Sequence, residues 1–293
     1  NHEIYQAKIV LETNDISLLG KIYTNLGTLD FRKYNVELKE QLSNNSYDIL
    51  ISIENDREIS IIDIETFLLN EDKNIKIAFT HRNIDAKNKD DMNTFSEKYG
   101  FNYSNVAFNS QVHGASVRRI KSNEDLAENG KEADGLVTSL KQVPLLIFTA
   151  DCVPIVFYDK KQGVIALAHA GWRGTYGNIA GEIVEIMVKE YNCQLGDIKT
   201  IIGPSISKEK YEVSEDLIEK FASLKVDNYY EKIGDSYYLD LWTINKGLLE
   251  QAGILKENIE VTSICTVKEN NKFFSYRLDN QTAKRIGTLI QID

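Results

Sequence analysis

The chain has 293 residues, 42% hydrophobic and 27% charged, a balance typical of a globular protein with a sizeable core. Its formal net charge of -10 argues against a nucleic acid polymer as partner, because a polyanion is repelled by a protein of the same sign. The longest apolar runs are much shorter than the roughly 20 residues that cross a bilayer, so no membrane contact is expected.

The opening residues Asn-His-Glu-Ile-Tyr lack the pattern of a signal peptide and do not begin with methionine. We therefore expect a cytoplasmic protein with a trimmed or tagged start. The three cysteines, an odd number without paired spacing, argue against a disulfide framework. Cys193 follows a helical run and Cys265 ends an apolar stretch, so both are interpreted as buried thiols.

Residues 1–75 alternate apolar and polar side chains in 3–11, 47–53 and 58–64, which predicts β-strands. This divergent, β-rich N-terminal part carries no chemical motif, and we interpret it as an elaboration that helps to cover the core. One domain is expected over 1–293, with the core and the functional site in 76–293. A short helix is predicted over 90–99.

The centre of the chain alternates predicted strands and helices, which indicates an α/β domain. Continuous apolar runs predict buried strands at 145–149, 153–158, 164–168 and 198–202. Apolar residues then recur at helical spacing from Ile179 to Tyr191. Another helix is predicted from Ser214, as its cap, through Phe221.

Three residues are candidate metal ligands: His113, Cys152 and His169. Cys152 and His169 lie at the ends of predicted strands, where the functional groups of α/β domains collect. One cysteine and two histidines match catalytic zinc, which takes three protein ligands and keeps a fourth position open. Their spacing is not that of a zinc finger, so two alternatives stay open. The residues are either polar groups satisfied within the core, or a Cys152 nucleophile with His169 as its base and Asp151 as the orienting acid.

The glycine-punctuated loop 171–175 precedes the predicted helix at Ile179. Free backbone amides and the helix dipole favour an anion at such a position, and Arg173 would add a fork of donors. The alternative is a structural turn in which Trp172 packs into the core and Arg173 caps a carbonyl.

Several separated motifs occur in the same order in one known family. They are Gln-Val-His-Gly at 111–114, Ala-Asp-Gly at 133–135, Thr-Ala-Asp-Cys-Val-Pro at 149–154, His-Ala-Gly-Trp-Arg-Gly at 169–174, Gly-Pro-Ser-Ile at 203–206, Tyr-Glu-Val at 211–213, Cys-Thr at 265–266 and Phe-Phe-Ser-Tyr-Arg at 273–277. In these motifs the chain resembles the YfiH-like proteins, long labelled multicopper polyphenol oxidase or laccase-domain proteins. The resemblance covers about residues 75 to 290.

The resemblance implies a layered α-β-β-α sandwich with mixed sheets, and a zinc ion (Zn²⁺) on His113, Cys152 and His169. It also implies phosphorolysis of adenosine, inosine, guanosine and S-methyl-5'-thioadenosine, together with deamination of adenosine. The expected partners are therefore a purine nucleoside and phosphate, and a monomer or weak dimer is expected. Some relatives are linked instead to amide hydrolysis that edits amino acids in peptidoglycan precursors, and a catalytically silent nucleoside-binding module is a third hypothesis.

Within this chemistry, Asp151 is a candidate for proton transfer or for orienting a metal histidine. Phosphate is expected to bind Arg173 and the neighbouring loop residues Gly174 and Thr175, with Arg277 as an alternative. The family's Thr-Arg-Gly-Gly-Val-Ser loop and Asn-Arg pair are replaced here in 80–91, and we predict that Arg82 substitutes for the missing arginine.

The laccase label can be tested against the histidine count. Copper(II) favours nitrogen donors, and a multicopper oxidase needs about ten imidazole ligands, typically in His-x-His pairs. The chain has four histidines and no such pair. The sequence therefore argues against a copper laccase.

Overall fold

The computed structural model describes residues 74–293 throughout and, before them, the backbone of five strands. These are β1 (Ile4–Glu12), β2 (Lys21–Thr24), β3 (Gly27–Asp30), β4 (Asn35–Ser43) and β5 (Ser46–Glu54). The chain divides into two compact units, Asn1–Glu71 and Asp72–Asp293. The expectation of one domain over 1–293 stays a prediction.

In the first unit, β5 pairs antiparallel with both β1 and β4, and β2 and β3 form a hairpin. The strands predicted at 3–11 and 47–53 are therefore confirmed, with bounds shifted by about one residue. The strand predicted at 58–64 lies outside the described residues.

The second unit alternates strands and helices, as predicted. Its strands are β6 (Ile75–Phe79), β7 (Ala107–Phe108), β8 (Val117–Ile120), β9 (Gly135–Thr138), β10 (Leu145–Thr149), β11 (Val153–Asp159), β12 (Val164–Ala170), β13 (Ile198–Ile202), β14 (Glu212–Val213), β15 (Tyr230–Ile233), β16 (Ser236–Leu239), β17 (Ile259–Val261) and β18 (Ile286–Ile292). Its α-helices are α1 (Lys89–Tyr99), α2 (Trp172–Tyr176), α3 (Ile179–Tyr191), α4 (Glu215–Phe221) and α5 (Leu241–Gln251).

Two mixed sheets form the centre of this unit. One has the strand order β6-β18-β10-β7 and the other β17-β13-β11-β12-β9-β8. The pairs β7–β10, β8–β9 and β13–β17 are parallel, and the remaining pairs of the two sheets are antiparallel. The strands β14, β16 and β15 form a smaller, separate sheet in the order β14-β16-β15.

Helices cover the outer faces of both sheets. On one side, Met92 and Phe95 of α1 pack against Leu146 and Phe148 of β10. On the other, the buried faces of α3 and α5 pack against the sheet that contains β11 and β12. Side chains alternate along a strand, so other strand residues point to the opposite faces of the two sheets, away from these helices. Examples that are fully buried are Leu145, Ile147, Val156 and Leu167. The predicted α-β-β-α sandwich is confirmed.

The helix bounds agree closely with the sequence pattern. α3 spans the predicted residues, and α1 begins one residue before its predicted start, after the Asn88 side chain that accepts hydrogen bonds from the Asp90 and Asp91 amides. Ser214 precedes α4 as predicted, but its side chain makes no capping hydrogen bond. Among residues with described structure, no helix combines the length and apolarity that a membrane crossing requires.

Strand pairing brings distant parts of the chain to one end of the larger sheet. β11 and β12 form an antiparallel hairpin whose register pairs Pro154 with His169, so Cys152 lies beside the end of β12. β9 pairs with β12 through Gly135 and Ala168, and β8 pairs with β9. The segments that precede β8, β9 and β11 therefore meet at the end of β12.

Candidate metal centre

The three predicted ligands converge at that end of the sheet. One ligand atom from each of His113, Cys152 and His169 lies within 4.8 Å of the other two. His169 is buried, Cys152 is half-buried and His113 is exposed. The cluster is therefore anchored in the core and open towards solvent on the His113 side.

A buried carboxylate that the sequence left without a role connects the two histidines. Asp134 Oδ1 lies 2.8 Å from His169 Nδ1 and accepts a 2.9 Å hydrogen bond from the backbone amide of His113. Its Oδ2 accepts from the amides of Val112 and Gly114, at 3.2 Å and 2.7 Å. Because the carboxylate accepts, His169 Nδ1 carries the proton, and Nε2 is left as the metal-binding nitrogen.

Asp134 is ionised although it is fully buried. Burial alone raises the pKa of a carboxyl group, but the hydrogen bonds from His169 and the amides of Gly114 and Val112 lower the pKa of Asp134 below its ordinary value. The carboxylate is thus a fixed negative charge directly behind the metal ligands.

The backbone around the ligands adopts conformations that few residues tolerate. His113 has a φ of 61° and Asp151, next to Cys152, a φ of 80°. Such left-handed conformations cost about 1–3 kcal/mol each in non-glycine residues and cluster at functional sites. Gly171 allows the side chains of Cys152 and His113 to lie close to the backbone, since a Cβ at this position would lie 3.0 Å from Cys152 Sγ and 3.2 Å from His113 Cδ2.

The thiol of Cys152 and the imidazole of His169 each shift the pKa of the other towards the charged form. Burial opposes ionisation of Cys152, but His169 and His113 outweigh it and lower the pKa of the thiol to about 6. Burial also opposes protonation of His169, but Cys152 and Asp134 raise the pKa of the imidazole to about 9. The cluster therefore supplies a thiolate at neutral pH, the form in which cysteine binds metals.

This donor set fits zinc. One sulfur and two imidazole nitrogens complete three positions of a tetrahedral site, and the exposed side of the cluster leaves room for a fourth, non-protein ligand. The carboxylate behind His169 is the partner that metal-binding histidines usually have.

Asp151 is placed beside the metal cluster but serves another purpose. Its buried carboxylate accepts hydrogen bonds from Thr266 Oγ1 at 2.7 Å, from Ser275 Oγ at 3.1 Å and from the Arg277 amide at 2.7 Å. The role of orienting a metal histidine, one of its predicted alternatives, belongs to Asp134 instead. Asp151 joins the segment that carries Cys152 to the segment 275–277.

The predicted anion loop is a short helix. In α2, Gly174 and Thr175 are buried, and the Thr175 hydroxyl both donates to the Ala170 carbonyl and accepts from Asn245. A Cβ at Gly174 would lie 2.8 Å from the Gly114 carbonyl oxygen. Gly174 and Thr175 therefore hold α2 against the loop that carries His113. Their burial argues against the predicted contact with phosphate.

Arg173 is the exposed member of this group, and its guanidinium carbon lies 4.4 Å from the centre of the Trp172 ring. Trp172 packs against the core, as the structural-turn alternative predicted. The ring supports the guanidinium from one side, and the rest of the group is available to solvent. Arg173 remains a candidate anion ligand.

Arg82 supports a loop. Its guanidinium donates to the Asn270 carbonyl, lies 3.5 Å from an Asp279 carboxylate oxygen and stacks over Phe274 at 5.4 Å. Asp279 in turn accepts from the Ser275 amide. Arg82 therefore stabilises the segment that carries Arg277, and these contacts occupy the group that was predicted to bind substrate.

Arg277 extends from that segment as an exposed side chain. Its guanidinium carbon lies 5.5 Å from the centre of the Tyr211 ring, and Nη2 makes a long 3.4 Å hydrogen bond to the Glu212 carbonyl. The remaining cysteines are buried, as predicted, and burial raises the pKa of Cys193 to about 12.

Comparison with known proteins agrees with this architecture. A 206-residue stretch is 38% identical to a Staphylococcus aureus protein named "Purine nucleoside phosphorylase YlmD", covering 67% of this chain and 76% of the relative. A Staphylococcus epidermidis protein named purine nucleoside phosphorylase is 35% identical over 198 residues, covering 64% of this chain and 73% of the relative.

Solved structures show the same fold. The hypothetical protein YfiH of Bacillus licheniformis superposes with a TM-score of 0.70 at 26% identity, covering 75% of this chain and 93% of that one. YlmD of Geobacillus stearothermophilus superposes with a TM-score of 0.70 at 26% sequence identity, covering 75% of this chain and 92% of that one. The family model described as multi-copper polyphenol oxidoreductase laccase matches residues 73–293. The chain belongs to this laccase-labelled, YfiH-like family.

Proposed function

We propose that the chain is a zinc-dependent purine nucleoside phosphorylase that accepts adenosine, inosine, guanosine and S-methyl-5'-thioadenosine and also deaminates adenosine. The observation that carries the proposal is the convergence of His113, Cys152 and His169 in front of Asp134. It is supported by 38% identity to relatives named purine nucleoside phosphorylase.

In phosphorolysis, a phosphate oxygen bonds to the anomeric carbon of the ribose while the bond from that carbon to the purine nitrogen breaks. The electron pair of that bond leaves with the purine, which takes up a proton. The exposed guanidinium groups of Arg173 and Arg277 are suited to holding the phosphate dianion beside the sugar. Asp151 acts by fixing the Arg277 backbone.

A bound zinc ion supplies a Lewis acid that polarises an oxygen of water or substrate. Among the protein groups, Asp134 holds the Nδ1 proton of His169 so that Nε2 is the nitrogen left for the metal, and before the metal binds, protonated His169 keeps Cys152 ionised. The same centre is the proposed site of adenosine deamination, in which water adds at C6 of the purine and ammonia leaves.

One observation favours a second candidate function. Cys152, His169 and Asp134 have the order and contacts of a nucleophile, a base and an orienting acid. In the metal-free protein this arrangement is suited to amide hydrolysis, as in the editing of amino acids in peptidoglycan precursors. His113 has no part in such a triad, and this difference separates the two functions.

The test joins metal analysis to a substrate screen. The purified protein is expected to contain one zinc per chain and to convert purine nucleosides to free base when phosphate is supplied, as followed by chromatography. His113→Ala should lose both zinc and turnover. Full activity of His113→Ala without zinc would favour the Cys152–His169 hydrolase, and zinc with nucleoside binding but no turnover would indicate a silent binding module.

A further inference from the structure

Tyr211 lies beneath the guanidinium of Arg277, whose amide is bound to Asp151 next to the cysteine ligand. It directly precedes β14, its amide donates to the Lys208 carbonyl at 3.0 Å and its carbonyl accepts from the Leu239 amide at 3.0 Å. Its ring is half-buried and packs against the core cluster beneath α3 and α5. The backbone and one side of the ring are thus fixed.

The electrostatic surroundings of the phenol show what it faces. Burial and then the negative charge of Cys152 raise the pKa of Tyr211 to about 12, whereas Arg277 and Arg173 lower it. The charges of Cys152, Arg277 and Arg173 therefore all act on the phenol. It keeps its proton at neutral pH and remains a hydrogen-bond donor.

The arginine contacts limit what the ring itself can do. The Arg277 guanidinium carbon lies 5.5 Å from the ring centre, and the Arg277 amide is held 2.7 Å from Asp151 Oδ2. Because a cation lies over the ring, that face is not available for stacking a purine. The contribution of Tyr211 to a ligand must come from its hydroxyl.

We propose that Tyr211 completes a phosphate subsite with Arg173 and Arg277, in which the Tyr211 hydroxyl is the neutral donor. Two cations and one neutral donor match a dianion better than they match a ribose or a purine edge, which need acceptors as well as donors. This inference rests on the proposed function, since it assigns the second substrate of phosphorolysis to named residues.

The experiment compares Tyr211→Phe with the wild-type protein in the presence of zinc. Because the variant loses a hydrogen bond to a charged group, the KM for inorganic phosphate should rise about tenfold or more. The KM for inosine, the zinc content and the deamination of adenosine, which uses no phosphate, should change less than about twofold. Tyr191→Phe is the matched control, because it also removes the hydroxyl of a partly buried tyrosine, at the end of α3.

Arg277→Gln provides an independent variant. It should also raise the KM for phosphate, and the double variant with Tyr211→Phe should lose less affinity than the sum of the single changes, because both groups bind one ligand. An unchanged phosphate KM in Tyr211→Phe, or a rise in the inosine KM alone, would overturn the subsite.

Direct binding separates this inference from the proposed function. If the wild-type protein turns over no nucleoside, binding of inorganic phosphate is measured by ³¹P NMR line broadening in wild type and Tyr211→Phe. Weaker binding in the variant would support the subsite while the phosphorylase proposal fails. Equal binding, or no binding by the wild type, would reject the subsite.

Discussion

At the scale of single residues, Asp134 is the carboxylate that joins His169 to the loop that carries His113. Its two oxygens contact His169 and three consecutive amides of the loop that carries His113. Removing the charge while keeping the shape should misorient both histidines at once.

We expect Asp134→Asn to bind zinc about 10–100-fold more weakly than the wild type, as is typical when the hydrogen-bond partner of a ligating histidine is replaced. Competition with a chromophoric chelator measures this affinity. The control is Asp159→Asn, which changes a buried carboxylate that accepts from the amides of Lys161 and Gln162 at the turn after β11. Equal zinc affinity in the two variants would contradict the role of Asp134.

The protonation of the ligands predicts how zinc binding depends on pH. In the metal-free protein the pKa of Cys152 is lowered to about 6 and that of His169 is raised to about 9. Between these values the thiol is already ionised, and the metal must displace the proton of His169. Zinc affinity should therefore rise about tenfold per pH unit from about 6 to about 9 and then level off.

Calorimetry in buffers of different ionisation enthalpy counts the protons released. At pH 7.5 we expect about one proton per zinc bound, and below pH 6 a larger number, because Cys152 is then protonated as well. A zinc affinity that is constant from pH 6.5 to 8.5 would show that the imidazole is neutral before the metal binds.

At the scale of secondary structure, the junction between β12 and α2 sets the spacing of the ligands. Gly171 is the residue at that junction, and its missing side chain is what allows Cys152 and His113 to approach. The loop that carries His113 is therefore held by close packing against Gly171 as well as by hydrogen bonds to Asp134.

Gly171→Ala should lower zinc affinity about tenfold or more. The added Cβ would lie only 3.0 Å from Cys152 Sγ and 3.2 Å from His113 Cδ2, and it would push both ligand side chains aside. Gly196→Ala is the control, because its nearest neighbour would be Leu255 Cδ1 at 3.8 Å. Metal titration of both variants, with circular dichroism to verify the fold, decides the outcome. A normal zinc affinity in Gly171→Ala would mean that the ligands adjust freely.

The strands and helices that carry the site could largely be predicted, but their pairing could not. Continuous apolar runs predicted β10–β13, and α3 followed from its helical spacing. The polar turn 160–163 between two such runs is a signal for the β11–β12 hairpin, and it would have aligned Cys152 with the end of β12.

Roles that depend on contacts between distant segments were less predictable. The ligand set was inferred from family motifs, but an isolated Ala-Asp-Gly gives no spacing that links Asp134 to two histidines. Asp151 was expected to act on protons or on a histidine, whereas its partners lie more than 110 residues away in Thr266, Ser275 and Arg277. Such partners follow from tertiary structure alone.

At the scale of the second unit, Asp72–Asp293, stability and metal binding depend on different parts of the sandwich. The packing of α3 on the larger sheet is apolar and fully buried, and it includes Ile183, whose Cδ1 lies near Gly135. The metal centre is at the end of that sheet, where β12 carries His169 and hydrogen bonds to Asp134 hold the loop that carries His113.

Ile183→Ala should lower the free energy of unfolding by about 2–5 kcal/mol, because it leaves a cavity between α3 and β9. Chemical denaturation measures the loss, and Glu182→Gln, an exposed neighbour in the first turn of α3, should change it by less than about 1 kcal/mol. The folded fraction of Ile183→Ala should still take up one zinc per chain, and loss of stoichiometric zinc would show that the core and the site are more closely coupled than we infer.

The Asp134 carboxylate has a further consequence for how the protein acquires its metal. Because it already holds the His169 imidazole and the backbone of the loop that carries His113 through four hydrogen bonds, the ligands need little ordering when the ion arrives. The metal site of the apo-protein should therefore be preformed. A chelator should remove the ion and leave the domain folded, and metal added later should restore the site without a refolding step.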